Sequence, residues 1–312
     1  MLLFEQRIAF KAHTIDLNIS PKEGQLKNKD LTICVPAYNE AAGIKSALEG
    51  LRAKFQNAEI ILVDDGSTDE TFELAKAVEG IVVLSHARNR GYGAALKTAI
   101  RYSRGGIIAW FDADGQHRPD DLEKIIQPVL DEKMDMVIGA RRKGSDIRMD
   151  RLPGKMLLKF VAELIVGESI PDLNSGLRCF RTEVLKRYLH LLPDGFSAST
   201  TSTLLMKKRG YRVDFVGVIA DERIGKSSVS IIYDGLVTLG LIMRILILFN
   251  ALSFFSVLGF LQIVPGVLWG LWHLGSSGFS VFASTLIISG ALTFFMGLIC
   301  DQITELRKER LE

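Results

Sequence analysis

Two aspartates separated by one residue, in Asp112-Ala113-Asp114-Gly115-Gln116-His117, are the first feature of this chain that could do chemistry. In extended chain, residues i and i+2 point to the same side, so Asp112 and Asp114 can converge on one cation. Mg²⁺ and related hard cations take one or two carboxylates and complete their shell with substrate phosphates. A second acidic pair stands in Asp64-Asp65-Gly66-Ser67-Thr68-Asp69-Glu70. Adjacent like charges repel, so at least one of Asp64 and Asp65 is expected to bind a ligand. Ser67 and Glu70 have capping-box spacing and Asp69 suits a first helical turn, which makes those three structural. In Pro36-Ala37-Tyr38-Asn39-Glu40, a strand exit and a helix cap explain Pro36 and Asn39 but give no role to Tyr38 or Glu40. Asn89-Arg90-Gly91-Tyr92-Gly93 holds half of a dinucleotide-type glycine pattern, with Leu96 where the third glycine would stand. It reads as a glycine turn before a helix, with a phosphate at the helix N-terminus as the alternative. Arg141 opens a stretch, Arg141 to Lys159, with seven Lys and Arg against two Asp. Arginine forks suit phosphate oxygens. A cationic face for anionic lipid is the other reading, and the two are compatible.

Most of these groups directly follow a short apolar run. The runs are Leu31–Val35, Glu59–Val63, Ile81–Leu84, Ile107–Phe111 and Met136–Gly139. Between the first two, Ile44, Ala47, Leu48 and Leu51 recur at i, i+3, i+4 and i+7, the spacing of a one-faced helix. The spacing predicts further helices over 69–79, 92–103 and 120–132, the last opened by Pro119 with Asp120 and Asp121 at the positive end of its dipole. Alternating strands and helices with continuous apolar strands predict an α/β fold, a mostly parallel sheet covered on both faces. In such sheets ligands bind beyond the carboxyl ends of the strands, where the acidic groups stand.

A second kind of material follows. No Asp, Glu, Lys or Arg occurs from Ile245 to Cys300, although 38 Lys and Arg and 36 Asp and Glu are spread over the rest of the 312 residues. Two spans, Asn250–Trp272 and Phe279–Cys300, are each long enough for the roughly 20 residues that cross a bilayer. Residues 231–248, interrupted by Asp234 and Arg244, suit an interfacial helix. The connector His273–Ser280 has no Lys or Arg, whereas Arg223, Lys226 and Arg244 precede the first span and Arg307, Lys308 and Arg310 follow the second. Both ends and the α/β domain are therefore expected in the cytoplasm. Gly266 and Gly270 could pack the two spans or join subunits into a homo-oligomer. The predicted organisation is an N-terminal extension, 1–30, without a signal-peptide core, a domain over 31–230, the interfacial helix over 231–248, a hairpin over 249–301 and a tail over 302–312. A net charge of +2 without a basic stripe excludes a nucleic-acid binder, and Cys34, Cys179 and Cys300 have no metal or redox spacing.

The segments Pro36–Glu40, Asp64–Asp69 and Asp112–His117, in this order, resemble family 2 glycosyltransferases. Asp172-Leu-Asn-Ser-Gly-Leu-Arg178 and Arg223-Ile-Gly-Lys-Ser227 resemble the branch that uses polyprenyl phosphates. The resemblance covers roughly residues 31–230 and implies a GT-A-type, Rossmann-like nucleotide-sugar fold. It implies that Pro36, Tyr38, Asn39, Glu40, Asp64, Asp65 and Gly66 hold the nucleotide-sugar. It further implies that Asp112, Asp114 and Gln116 hold Mg²⁺ or Mn²⁺ on the diphosphate. Arg141, Ser175, Arg178, Arg223, Lys226 and Ser227 are implied to face the acceptor phosphate and the transferred sugar. Arg118 stands where a proline is usual in the branch, and residues 1–30 match no family segment.

Asp194 is the one candidate for a late carboxylate base, in Asp194-Gly-Phe-Ser-Ala-Ser-Thr200. A phosphate monoester has a second pKa near 6 and is already anionic at neutral pH. The expected reaction is therefore metal-dependent, inverting transfer of one sugar from a UDP-hexose or GDP-mannose to a membrane polyprenyl phosphate. A transferase acting on a lipid hydroxyl is the alternative and would need Asp194. A non-catalytic nucleotide-sugar-binding scaffold would require lost metal ligands, and these are present.

Overall fold

The computed structural model describes residues 31–141, 152–195, 197–219, 231–277 and 280–309. Seven strands form one sheet: β1 Leu31–Ala37, β2 Glu59–Asp64, β3 Val82–Ser85, β4 Ile107–Trp110, β5 Met136–Arg141, β6 Arg178–Arg181 and β7 Val213–Val218. Their order is β3-β2-β1-β4-β6-β5-β7, with every pairing parallel except those of β6. The five strands expected from the apolar runs all form. The two additional ones, β6 and β7, lie beyond the region of regular alternation.

Side chains alternate between the two faces of the sheet, as the pleat requires. Ile33, Val35, Leu62, Ala109 and Val137 pack beneath helices α1 (Ile44–Lys54) and α4 (Pro119–Leu130). Cys34, Ile61, Val63, Trp110, Ile138 and Phe180 pack on the other face against α3 (Tyr92–Tyr102) and α6 (Thr182–Arg187). Burying each large aliphatic side chain contributes about 1.5–3 kcal/mol. Cys34 and Cys179 are buried thiols whose pKa values burial pushes up, so they act as small hydrophobes. The short helix α2 (Thr71–Lys76) lies between β2 and β3.

A third apolar cluster joins α5 (Leu152–Val166), α7 (Ala198–Lys208) and the first part of α8 (Ile231–Ser277) through Leu158, Val161, Ala162, Ile165, Leu204, Ile242 and Ile245. Helix α8 carries non-helical backbone at Asn250 (φ −154°, ψ 41°), which divides it into two helical segments. Phe249–Leu274 of α8 and Val281–Leu306 of α9 (Val281–Glu309) are long and apolar enough to cross a membrane. They pack as a hairpin in which Gly259 and Gly290 meet backbone to backbone. A Cβ at Gly259 would stand 2.7 Å from the Gly290 carbonyl oxygen. Gly266 faces Leu286 and Ile287 of α9, so the structure uses this glycine within the hairpin. Gln262 adds polar links across it: its amide donates to Thr293 Oγ1 at 3.3 Å and accepts from Ser289 Oγ at 2.8 Å.

Candidate active site

The loops after β1 and β2 are bonded to each other. The Asn39 N–H donates to Ser67 Oγ at 2.9 Å, and Asn39 Oδ1 accepts the Thr68 N–H at 2.9 Å. The Glu40 N–H donates to Thr71 Oγ1 and the Ala41 N–H to Asp69 Oδ2. Two expectations are corrected here. Asn39 does not cap α1, whose N-cap is Gly43; with φ 54° it turns instead toward the second loop. Ser67 and Glu70 do not form a capping box, because Ser67 is engaged by Asn39 and α2 begins only at Thr71. Tyr38 is exposed at the mouth between these loops, while Pro36 is buried at the end of β1.

Asp64 and Asp65 are both buried. Asp64 accepts the Ser67 N–H at 3.2 Å and the Ser85 hydroxyl at 3.0 Å. Asp65 accepts the Arg90 and Gly91 N–H groups, the latter at 2.7 Å, and lies 2.6 Å from His86 Nδ1. His86 Nε2 in turn meets Thr98 Oγ1 at 2.9 Å. The repulsion that pointed to a ligand is thus met inside the chain, by donors that no local sequence spacing reveals. Gly66 is needed for its φ of 73° and because a Cβ there would stand 2.6 Å from the Arg88 backbone.

The glycine turn before α3 is a packing turn. A Cβ on Gly91 would stand 2.5 Å from the Asp194 carbonyl oxygen, and one on Gly93 would overlap that of Pro193. The Ala94 N–H donates to the Asp194 carbonyl at 2.9 Å, so backbone takes one of the first-turn donors that a phosphate could have used. The Asp194 carboxylate is paired with Lys97 Nζ at 2.7 Å, and this bond holds its pKa below the ordinary value.

Strand β6 brings the remaining parts together. It runs antiparallel between β4 and β5, with Arg178 opposite Trp110 on one side and Ile138 on the other. The Asp172–Arg178 turn, which precedes β6, therefore reaches the same sheet edge as Asp112, which follows β4. Gly176 lies directly on the Asp112 carboxylate. Tyr92 donates its hydroxyl to Asp112 Oδ1 at 2.8 Å, and His117 Nε2 stands 3.9 Å from Oδ2. Burial pushes the Asp112 carboxyl above its ordinary pKa; the charge of Asp114 adds to this and His117, Tyr92 and Arg178 oppose it. Asp114 Oδ1 accepts the Gln116 N–H at 3.1 Å, folding the loop back on itself.

Arg141, at the end of β5, grips Asp172 through both arms of its fork, Nε to Oδ2 at 2.7 Å and Nη2 to Oδ1 at 3.0 Å. Asp172 also accepts the Asn174 and Ser175 N–H groups. Arg141 is charged and partly exposed, and it feels Asp112 and Asp114 electrostatically. Arg178 is placed differently. It is fully buried and donates to the carbonyls of Ser175 (2.6 Å) and Leu173 (2.9 Å) and to Ser202 and Thr203 of α7. Burial lowers its pKa to about 10. It holds the turn from beneath, while Ser175 is buried within it. Arg223, Lys226 and Ser227 lie outside the described residues, as does most of the basic stretch after Arg141.

Sequence reasoning assigned no part to Tyr92, His86, Asp172 or Gly176. The first two carry no local signal; the last two stood in a recognised motif without individual roles. Asp121, read only as a dipole partner, is a buried carboxylate that accepts the Ile219 N–H at 3.2 Å and pairs with Lys124.

Comparison with known proteins matches residues 32–189, just over half of the 312, to the family described as Glycosyl transferase family 2. The chain belongs to that family. This glycosyltransferase is 34% identical over 185 residues to the UDP-N-acetylglucosamine–dolichyl-phosphate N-acetylglucosaminyltransferase of Methanococcus voltae, covering 52% of this chain and 73% of that one. It is 28% identical over 297 residues to the undecaprenyl-phosphate 4-deoxy-4-formamido-L-arabinose transferase of Yersinia enterocolitica, covering 89% of both. Among solved structures, glucosyl-3-phosphoglycerate synthase of Mycobacterium tuberculosis, in complex with Mn²⁺, UDP and phosphoglyceric acid, superposes with a TM-score of 0.57. That match has 23% identity and covers 69% of this glycosyltransferase and 77% of the synthase; it establishes a shared GT-A-type fold.

Proposed function

We propose that this glycosyltransferase moves a single sugar from a nucleotide-sugar to a membrane polyprenyl phosphate, with inversion at the anomeric carbon. The observation that carries the reading is the convergence of an arginine and two aspartates at one sheet edge. Arg141 sits on the Asp172 turn, and that turn rests on Asp112 through Gly176. Asp194, the carboxylate available as a base, is instead tied to Lys97, which suits a nucleophile that arrives already ionised.

Asp112, Asp114 and the Gln116 amide fit a hard cation. Two carboxylates share a partly buried loop, one with its pKa raised and with the His117 imidazole 3.9 Å from it, and among the described residues no group of three His, Cys, Asp or Glu is placed to hold a metal ion by itself. Such a site leaves positions for diphosphate oxygens. When bound there, Mg²⁺ or Mn²⁺ supplies Lewis-acid stabilisation of the departing nucleotide diphosphate. Tyr38, Asn39, Glu40 and the Asp64–Gly66 loop form the mouth that receives the nucleoside. Arg141 and Ser175, with Arg223, Lys226 and Ser227 from sequence, orient the acceptor phosphate. Its oxygen attacks the anomeric carbon on the face opposite the diphosphate, the new C–O bond forming as the sugar–diphosphate C–O bond breaks. The two apolar helices span the membrane with both ends in the cytoplasm, and 231–248 enters along the interface.

The relatives named above use dolichyl- and undecaprenyl-phosphate acceptors, which supports the acceptor class. The test is nucleotide release from a panel of UDP- and GDP-sugars by purified protein with undecaprenyl or dolichyl phosphate. Product bearing one acid-labile sugar phosphate is expected, lost in excess EDTA and in Asp114→Ala. Full activity in EDTA would overturn the metal role. Loss of activity in Asp194→Asn would favour a hydroxyl acceptor instead.

A further inference from the structure

Tyr92 is the first residue of α3, and the backbone on both sides of it is pinned. Before it, the Gly91 N–H donates to Asp65 Oδ2 at 2.7 Å. After it, Gly93 packs against the Pro193 carbonyl and the Ala94 N–H donates to the Asp194 carbonyl at 2.9 Å. The Tyr92 ring packs on the apolar cluster that includes Leu96 and Trp110. Its hydroxyl donates to Asp112 Oδ1 at 2.8 Å and is bonded in turn by the hydroxyl of Ser199, a buried residue of α7. An anchored helix start thus delivers one fixed phenol to a carboxylate twenty residues further along the chain.

We propose that Tyr92 is a positioning residue for the cation: its hydroxyl holds Asp112 in the orientation in which Asp112 and Asp114 share one divalent ion. The terminal torsion of an aspartate is broad, so a carboxylate that must present its oxygens in one direction needs fixing from outside. At Asp112 the phenol takes Oδ1 and Gly176 packs on Oδ2, while His117 Nε2, at 3.9 Å, stands beyond hydrogen-bond reach. Each carboxylate oxygen has two acceptor directions, so the phenol uses one and leaves the others to a cation. A ligating carboxylate is oriented by the groups that bond it, and losing such a group costs about 10–100-fold in metal affinity. The same hydroxyl sets Asp112 in register with the Asp172–Arg178 turn. Helix α7, which holds the phenol through Ser199, also holds that turn: Thr200 donates to Asn174 Oδ1 at 2.8 Å, and Ser202 and Thr203 accept from Arg178.

The inference rests on the reading of Asp112 and Asp114 as cation ligands, and the experiment separates the two. Mn²⁺ alone is titrated into the full chain in detergent, and the free ion is followed by electron paramagnetic resonance. Wild-type protein should bind Mn²⁺ and Asp114→Ala should not. Tyr92→Phe, which keeps the ring and removes the hydroxyl, should weaken binding about 10–100-fold. Ser199→Ala should weaken it in the same direction and to a smaller extent. The loss in Tyr92→Phe should persist from about pH 7 to about pH 8, where an ordinary carboxyl is fully ionised. Wild-type Mn²⁺ affinity in Tyr92→Phe overturns the inference alone, whatever the melting temperature of the variant. A loss that vanishes at the higher pH overturns it too, because the hydroxyl would then act on the carboxyl proton rather than on orientation. So does an equal loss in Tyr102→Phe, at the exposed far end of α3. If Tyr92→Phe does not fold, unchanged affinity in Ser199→Ala overturns the inference. Wild-type protein without Mn²⁺ binding, or Asp114→Ala with wild-type affinity, overturns the cation reading and the inference together.

Discussion

Gly176 rests on the carboxylate of Asp112: the space a Cβ would occupy at Gly176 is already filled by Oδ2. One residue comes from the turn before β6 and the other from the loop after β4. Their contact joins the turn proposed to face the acceptor to the loop proposed to hold the cation.

Gly176→Ala should therefore act on catalysis more than on stability. The added methyl forces Asp112 to rotate or the turn to lift, and a misplacement near 1 Å costs about 100-fold in rate. Steady-state kinetics should show kcat reduced on that scale, with thermal unfolding little changed. A wild-type rate would mean that Asp112 does not need its observed orientation.

Arg178 should behave in the opposite way. Removing it leaves the carbonyls of Leu173 and Ser175 and the hydroxyls of Ser202 and Thr203 without their charged donor. Hydrogen bonds to charged groups are worth about 1.5–3 kcal/mol each, so Arg178→Ala should destabilise the domain by at least about 3 kcal/mol. Arg178→Lys should recover little, because an ammonium cannot reproduce the fork. Chemical unfolding of the full chain in detergent checks both.

The buried chain Asp65–His86–Thr98 positions the Arg90–Gly91 turn, beside the loop proposed to receive the nucleoside. His86→Phe should raise the donor KM several-fold while changing kcat less, since no reacting atom is touched. Asp65→Asn, which sets an amide against two N–H donors, should cost about 1–3 kcal/mol of stability as well. Donor titrations at saturating acceptor separate the effects.

Acid stability should be governed partly by Asp135, far from the reaction. Its hydrogen bond to Arg212 holds its pKa below the ordinary 3.8, with Arg181 adding to the effect. A carboxyl lowered in the folded state stabilises above its unfolded pKa and loses that contribution as pH falls through the folded value. The contribution should be constant from neutrality to about pH 5 and decline below about pH 4. Thermal unfolding across this range should show a shallower acid limb in Asp135→Asn.

Within the hairpin, Gly259→Val should separate α8 from α9, because the Gly290 carbonyl leaves no room for a side chain. Gln262→Leu should cost less, about 0.6 kcal/mol, the usual worth of such a bond between membrane helices. Cross-linking of paired cysteines on the two helices reads the first effect, and unfolding in detergent the second.

The first half of the α/β domain was legible because its signals are local. Five apolar runs, each ending in a polar loop, specify parallel strands and the edge where ligands bind. The carboxylates Asp112 and Asp114 and the charge-free helices could be read the same way, since composition and spacing alone define them. Capping was misread at Asn39 and Ser67 because their side chains found partners in each other's loops, 28 residues away in sequence.

What only the tertiary structure decided begins at β6. Arg-Cys-Phe-Arg is too short and too charged at its ends to announce a strand, and its direction follows from the route of the chain through α5. That reversal turns the residues before the strand, rather than those after it, toward the site. Burial decided the rest: Arg178 became a support beneath the turn because hydroxyls and carbonyls surround it, while Arg141 stayed at the partly exposed edge. Residue type and order determined which groups could do chemistry here; long-range pairing and desolvation decided which of them meet.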